Sequence, residues 1–307
     1  MCHSVFPFIP QSSSRRGYSH LVTVQAARLT PRELEEIERA NASGRPLVVF
    51  VHGLWLLANS WDPWRDLFEA RGYACLAPGW PDDPITVAEG RARPDLFAGK
   101  TVGAITTHYA EVIRRLERKP SVVGHSFGGL ITQKLAGQGL ASVSVPIDPA
   151  PFRGVLPLPL SALKAALPVI GNPANRARAI MLTYEQFRFA FANAVDEEQA
   201  KRLYETYPVP GSGVPLFQAA FANINPGTEA AVDSMNPARG PMKLLSGEKD
   251  HTVPWAMTHA SFKRQLRNQS LTEIQEMPAR GHSLVIDSRW EEVAQVALEF
   301  IGRNRPS

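Results

Sequence analysis

Apolar positions along the chain switch between two periods, and the switching predicts an α/β architecture. Leu47-Val48-Val49-Phe50-Val51 is apolar without a break, as a central parallel strand covered on both faces must be. Shorter runs at Leu21–Val24, Tyr73–Ala77, up to Val122-Val123, Ala141–Ile147 and Met242–Leu245 predict further strands, and Leu271–Gln275 alternates with period two. Helix patterns lie between them. Thr30-Pro31-Arg32-Glu33 is a capping box with proline at the first helical position, and Gly44 closes that helix. Trp61–Ala70 and Glu291–Ile301 predict two more. Val102, Ile105, Tyr109, Val112, Ile113 and Leu116 recur at spacings of three and four, an amphipathic helix that leads into the Val122 strand.

From about Pro151 to Met235 the alternation stops. This stretch contains helix patterns only, at Ser161–Leu167, Thr183–Val195, Asp196–Tyr207 and Pro215–Phe221. Thr183-x-x-Gln186 and Asp196-x-x-Gln199 mark two of their starts. A proline-rich lead-in, Pro149 to Pro159, resists helix and sheet alike, as a hinge would. Phe187, Phe191 and Ala194 share a helical face and read first as core, although some aromatics here are expected to face a pocket.

Chemistry enters at Gly124-His125-Ser126-Phe127-Gly128-Gly129. The run sits between a strand and the apolar-periodic Leu130–Leu135, which is the strand, sharp turn and helix context of a Gly-x-Ser-x-Gly nucleophile. The glycines permit a tight turn and close strand–helix approach. The Phe127 N–H falls at a helix start, where an oxyanion is bound favourably. A serine hydroxyl needs a base and an orienting acid to act as a nucleophile at neutral pH. His282, in Arg280-Gly281-His282-Ser283 after the last strand candidate, is the best base. Two aspartates compete for the acid: Asp148, at the end of the Ala141–Ile147 strand, and Asp250, in Ser246-Gly247-Glu248-Lys249-Asp250-His251-Thr252-Val253-Pro254. Of the other histidines, His52 and His125 read as bracing or packing residues and His251 as solvated.

The order Ser126, Asp250, His282, each after a strand, together with His52-Gly53-Leu54-Trp55 after the Leu47 strand, resembles the α/β-hydrolase fold family from about Leu47 to the C-terminus. The resemblance implies a mostly parallel central sheet flanked by helices, with a helical cap inserted after the sixth strand. The core would be residues 21–150 and 236–307, the cap 151–235, and residues 1–20 a flexible terminus. It favours Asp250 over Asp148 as the acid, because Gly-x-x-Asp-x-x-Val-Pro is the usual setting of the acid in the branch most resembled. It implies an oxyanion hole from the Leu54 and Phe127 N–H groups, with Trp55 the next candidate donor. Trp55, His125, Phe187 and Phe191 are the candidate substrate-binding residues. The activity implied is a serine hydrolase acting on a small carboxylic ester. The same triad also serves lactone opening, C–C hydrolysis and perhydrolysis, and a capped pocket with slow turnover would serve a ligand receptor.

Composition narrows this little. The 307 residues are 44% hydrophobic and 20% charged, ordinary for a globular protein, with a formal charge of +4 and a pI near 9.2. The cations are scattered, and the densest run, Arg114 to Lys119, includes Glu117, so nucleic acid is not an expected partner. Cys2 and Cys75 make no disulfide framework, no Cys/His cluster has zinc spacing, and no phosphate loop appears. Neither metal nor cofactor is expected. Met1–Gly17 is too short in apolar residues and too broken by proline for a signal peptide, and no run is long enough to span a membrane. A cytoplasmic setting is the default expectation, and the same data are compatible with a removed leader.

Overall fold

The computed structural model describes Met1 and residues 29–306. The expected Leu21–Val24 strand, Cys2 and, Met1 aside, the expected flexible terminus lie outside the described residues. Elsewhere the strands form where continuous apolar runs predict them: β1 Leu47–Val51, β2 Ala74–Leu76, β3 Ser121–His125 and β4 Val143–Ile147, then β7 Met242–Gly247 and β8 Thr272–Met277. They make one sheet in the order β2-β1-β3-β4-β7-β8, and every neighbouring pair is parallel. All the strands therefore end on one edge. The chain runs outward from β1 to β2 and then returns past β1 to β3. The crevice above β1 and β3 is thus the switch point, where sheets of this kind bind ligands.

Helices cover both faces: α1 Pro31–Ala42, α2 Asp62–Ala70, α3 Val87–Ala92, α4 Val102–Arg114, α5 Phe127–Gly137, α10 Trp255–Gln265 and α11 Trp290–Asn304. The α1 capping box forms as the sequence predicts, with Thr30 and Glu33 exchanging hydrogen bonds. Two helices had no counterpart in the apolar pattern, for different reasons. α3 is a six-residue helix with a glycine inside it. α10 buries Thr258, Ser261 and Gln265 beside Met257, so its inner face is largely polar.

Between β4 and β7 lie α6 Leu160–Ile170, α7 Tyr184–Ala190, α8 Glu197–Thr206 and α9 Gly213–Ala220. Among the described residues this insertion follows the fourth strand of the sheet. It also holds what the helix-only expectation left out, a two-residue antiparallel ladder of β5 Ala179–Ile180 and β6 Gly211–Ser212. Such a ladder is too short to leave a period in the sequence. α7 ends at Ala190 rather than near Val195, because Phe191 turns out of the helix and its N–H closes the last turn onto Phe187 O. Phe187, Phe191, Leu203 and Phe217 of the insertion join the hydrophobic core that also contains the strands.

Candidate active site

Backbone geometry concentrates where β3 meets α5. Ser126 sits at φ 56° and ψ −120°, a left-handed conformation that a non-glycine residue adopts only under constraint. Its neighbours supply the constraint. A Cβ on Gly124 would lie 2.3 Å from Gly128 O, and one on Gly128 would lie 2.0 Å from Val51 O, so both must be glycine for β3, α5 and β1 to meet. The Ser126 N–H donates to Ile147 O at 2.9 Å and its carbonyl accepts from Ala150 N at 2.9 Å, which ties the turn to the end of β4. The His52–Trp55 loop closes over it: a Cβ on Gly53 would lie 3.0 Å from Ser126 Cβ. Among the described residues no hydrogen bond uses the Leu54 or Trp55 N–H. The Phe127 N–H, at the first position of α5, has no intrahelical acceptor by construction.

Asp250 and His282 meet behind this turn. The His282 Nδ1–H donates to Asp250 Oδ2 at 2.6 Å, and both side chains are fully buried. The Val-Pro context of the acid has a physical role. Asp250 Oδ1 accepts the N–H groups of Thr252 at 2.6 Å and Val253 at 2.9 Å, so one oxygen is anchored and the other is free for the imidazole. Burial opposes ionisation of Asp250, but the charge and hydrogen bond of His282 and the Val253 N–H hold its carboxyl below the usual range. His282 Nε2 is buried and has no hydrogen-bond partner among the described residues, so the Ser126 hydroxyl is not bonded to it here. Such contacts often tighten only in the substrate complex.

The competing acid is in the same cluster. Asp148, at φ 41°, accepts the Gly247 N–H on Oδ1 at 2.8 Å, and its Oδ2 lies 3.9 Å from His282 Nδ1. Burial, and then the Asp250 charge beside it, push the Asp148 carboxyl well above the usual range. The two carboxyls are thus pushed in opposite directions, Asp148 towards its neutral form and Asp250 towards its charged one. The His125 ring lies 4.5 Å from that of His282, and burial together with the His282 charge pushes its imidazole well below the usual range. One donor atom each from His125, Asp148 and His282 lie within 4.8 Å of one another, the donor types of a metal site. His282 Nδ1 is hydrogen-bonded to Asp250, which joins these groups into an acid–imidazole network.

A second buried network braces the His52 loop. His52 Nδ1 donates to Gly53 O at 3.0 Å, and its Nε2 lies 3.1 Å from Asp83 Oδ2, off the line of a good hydrogen bond. Trp80 stacks on the ring at 5.1 Å. Asp83 also binds the buried Lys100 ammonium. Burial opposes its ionisation, yet the adjacent His52 imidazole and then the Lys100 ammonium hold its carboxyl below the usual range. Asp83→Asn is expected to lower stability by about 3–5 kcal/mol, since it leaves a buried ammonium without a counter-charge. Urea denaturation monitored by Trp fluorescence measures this, and an unchanged midpoint would show that Lys100 does not depend on Asp83.

A cavity of about 160 Å³ opens onto Ser126, and its wall is almost wholly apolar. Trp55 and Phe127 line it from the core, Leu163 and Ile170 from α6, and Leu216 from α9. His125, Phe187 and Phe191 are not in the wall. Phe191 stands edge-on to His282 at 4.7 Å and stacks on Phe187 at 5.3 Å, so both work as packing. The end of α7 is also stitched to the loops that carry Asp250 and His282. Phe189 O pairs with His251 Nδ1 at 3.0 Å, Ala190 O accepts from Thr252 Oγ1 at 2.7 Å, and Phe191 O accepts from Ser283 N at 3.0 Å. His251 is therefore half-buried against the insertion rather than solvated. The Asp83–Lys100 pair and the α6 wall had no motif to mark them; the one available signal for the wall was the apolar run of α6.

The fold recurs in known proteins. Solved structures with the same fold include a monoacylglycerol lipase of Paleococcus ferrophilus, with a TM-score of 0.58, 20% identity and 84% of this chain and 95% of that chain covered. A pyrethroid hydrolase from Sphingobium faniae JZ-2 gives 0.58 at 19% identity, over 83% and 96% of the two chains. An extracellular alpha/beta-hydrolase from a Paenibacillus species gives 0.57 at 17% identity, over 83% and 98%. At these identities the likeness is one of fold. No curated protein matches the sequence. The profile of the alpha/beta hydrolase family matches residues 48–296, and the chain belongs to that family.

Proposed function

We propose that the protein is a serine hydrolase of carboxylic esters, with Ser126 as nucleophile, His282 as base and Asp250 as the acid. The observation that carries this reading is a strained serine at the floor of an apolar cavity, with a buried, hydrogen-bonded Asp250–His282 pair behind it. Ser126 Oγ attacks the ester carbonyl carbon as His282 Nε2 takes its proton. The carbonyl oxygen becomes an oxyanion held by the Leu54 and Phe127 N–H groups, each such donor being worth about 2.7–4 kcal/mol. Collapse breaks the carbon–oxygen bond, and His282 returns the proton to the departing alcohol. Water, deprotonated by the same nitrogen, then releases the acid from Ser126. Asp250 holds the tautomer with Nδ1 protonated and stabilises the imidazolium.

Residues 151–235 act in this reading as a cap, and the apolar wall from α6 and α9 points to an apolar acyl or alkyl group on the substrate. Turnover of a p-nitrophenyl ester series from acetate to dodecanoate tests the activity; no turnover across the series would reject it. Leu163→Ala and Ile170→Ala, which enlarge the wall away from the triad, are expected to move the preferred chain length upward with kcat on acetate little changed. An equal loss at all chain lengths would mean that α6 does not contact the acyl group.

A further inference from the structure

Six of the large apolar side chains left exposed among the described residues, Leu156, Leu158, Leu160, Leu167, Phe221 and Ile224, lie in or beside segments that line the Ser126 cavity. Leu156 and Leu158 are exposed and also line the cavity. On α6, Leu160 and Leu167 are 84% and 59% exposed, and spacings of three and four place them on the arc next to Leu163 and Ile170 of the wall. After α9, Phe221 and Ile224, the latter 77% exposed, flank Asn223, which also lines the cavity. The surface is thus continuous with the route to the nucleophile. Contiguous apolar surface of this kind marks an interaction site rather than an idle face.

Charge decides among partners. From Pro149 to Tyr184 the chain has no Asp or Glu, but it carries Arg153, Lys164, Arg176 and Arg178; Tyr207 to Thr228 also lacks acids. Lys164 projects from α6 beside Leu160 and Leu167, with its ammonium 4.1 Å over the Phe189 ring. Arg153 donates to Pro226 O at 2.9 Å, close in sequence to Ile224. A second copy pairing through this face would set these cations against one another. Leucines flanked by cations and free of acids match the acyl chains and headgroups of an anionic lipid surface.

We propose that the rim formed by 156–160, α6 and the end of α9 docks on an anionic lipid surface, so that an apolar ester passes from the lipid into the cavity. This deepens the ester-hydrolase reading, but docking is measured without turnover, so the two can fail separately. The full chain is expected to co-sediment with phosphatidylserine–phosphatidylcholine vesicles more strongly than with phosphatidylcholine alone, and less strongly as salt rises. The Leu160→Ser, Leu167→Ser, Ile224→Ser triple variant, built at exposed positions outside the wall, should bind at least about tenfold more weakly. Its turnover of soluble p-nitrophenyl acetate and its melting temperature should match the wild type. Lys164→Glu alone should weaken binding by about tenfold without touching the leucines. Absence of wild-type binding to either vesicle would overturn the proposal, as would binding that neither variant alters. So would sedimentation showing a dimer that the triple variant dissociates, because a second copy would then cover the face.

Discussion

Ser126→Ala is expected to lower ester turnover by about 10⁴-fold or more and to abolish labelling by a fluorophosphonate, while the fold is retained. The expectation follows from the turn itself. The φ of 56° at Ser126 is held by Gly124 and Gly128, whose missing side chains let β1, β3 and α5 close on one another, and by hydrogen bonds from the turn to β4. Alanine has the same backbone needs as serine, so only the hydroxyl is lost. Removal of the nucleophile leaves the Leu54 and Phe127 donors and the cavity, which bind substrate but form no acyl-enzyme. Undiminished hydrolysis by the alanine variant would mean that another group, or water alone, attacks the ester. Intact-mass measurement after exposure to the fluorophosphonate locates the adduct independently of kinetics.

Asp250→Asn is expected to cut kcat by about 10⁴-fold, whereas Asp148→Asn should cost no more than about tenfold. The two aspartates meet at one imidazole nitrogen, at 2.6 Å and 3.9 Å, but they differ in charge. Asp250 is the ionised member, held by His282 and two backbone N–H groups, so an amide there presents an N–H to Nδ1 and selects the wrong tautomer. Asp148 is the member pushed towards its neutral form. An asparagine there can still accept the Gly247 N–H on its oxygen and adds no charge beside Asp250. Stability supplies a second readout. A carboxyl whose value is raised in the fold contributes stability below the ordinary carboxylate range and loses it as pH climbs towards the raised value. Asp148→Asn, which does not titrate, should therefore gain in melting temperature relative to wild type between about pH 4 and pH 7. If Asp148→Asn proves the more damaging to kcat, the roles are exchanged; if the relative melting temperatures are flat with pH, Asp148 is not the protonated partner.

The parts of the site that were legible in advance are those in which chemistry is encoded within a few residues. Gly124-His125-Ser126-Phe127-Gly128 marks its turn by residue type alone, although the contacts that hold it also come from β1 and the end of β4. The Thr30–Glu33 cap and the LVVFV run of β1 are local in the same sense. α10 was not legible, since the face it buries is lined by Thr258, Ser261 and Gln265 and has no apolar period to read. Phe187 and Phe191 show the same limit from the other side. Periodicity marked them as inward-facing, but it could not distinguish the packing of His282 from the wall of the cavity.

By itself, then, the sequence determined the strand and helix alternation, the sharp Gly-x-Ser-x-Gly turn and the order of Ser126, Asp250 and His282 along the chain. The tertiary structure decided what meets what. Asp148 and Asp250 stand 99 or more residues from some of their partners, and only the parallel register of β4, β7 and β8 brings both carboxyls and His282 to one point. Once they are there, burial and the charge of each on the other drive the two carboxyls apart in proton affinity, a consequence of low polarity and proximity that no motif carries. The cavity wall, the Asp83–Lys100 brace and the exposed leucines at the mouth are likewise products of assembly. Each depends on which faces of α6, α9 and the loops find cover when the insertion folds over the sheet edge, and that is settled by long-range packing rather than by neighbours in the chain.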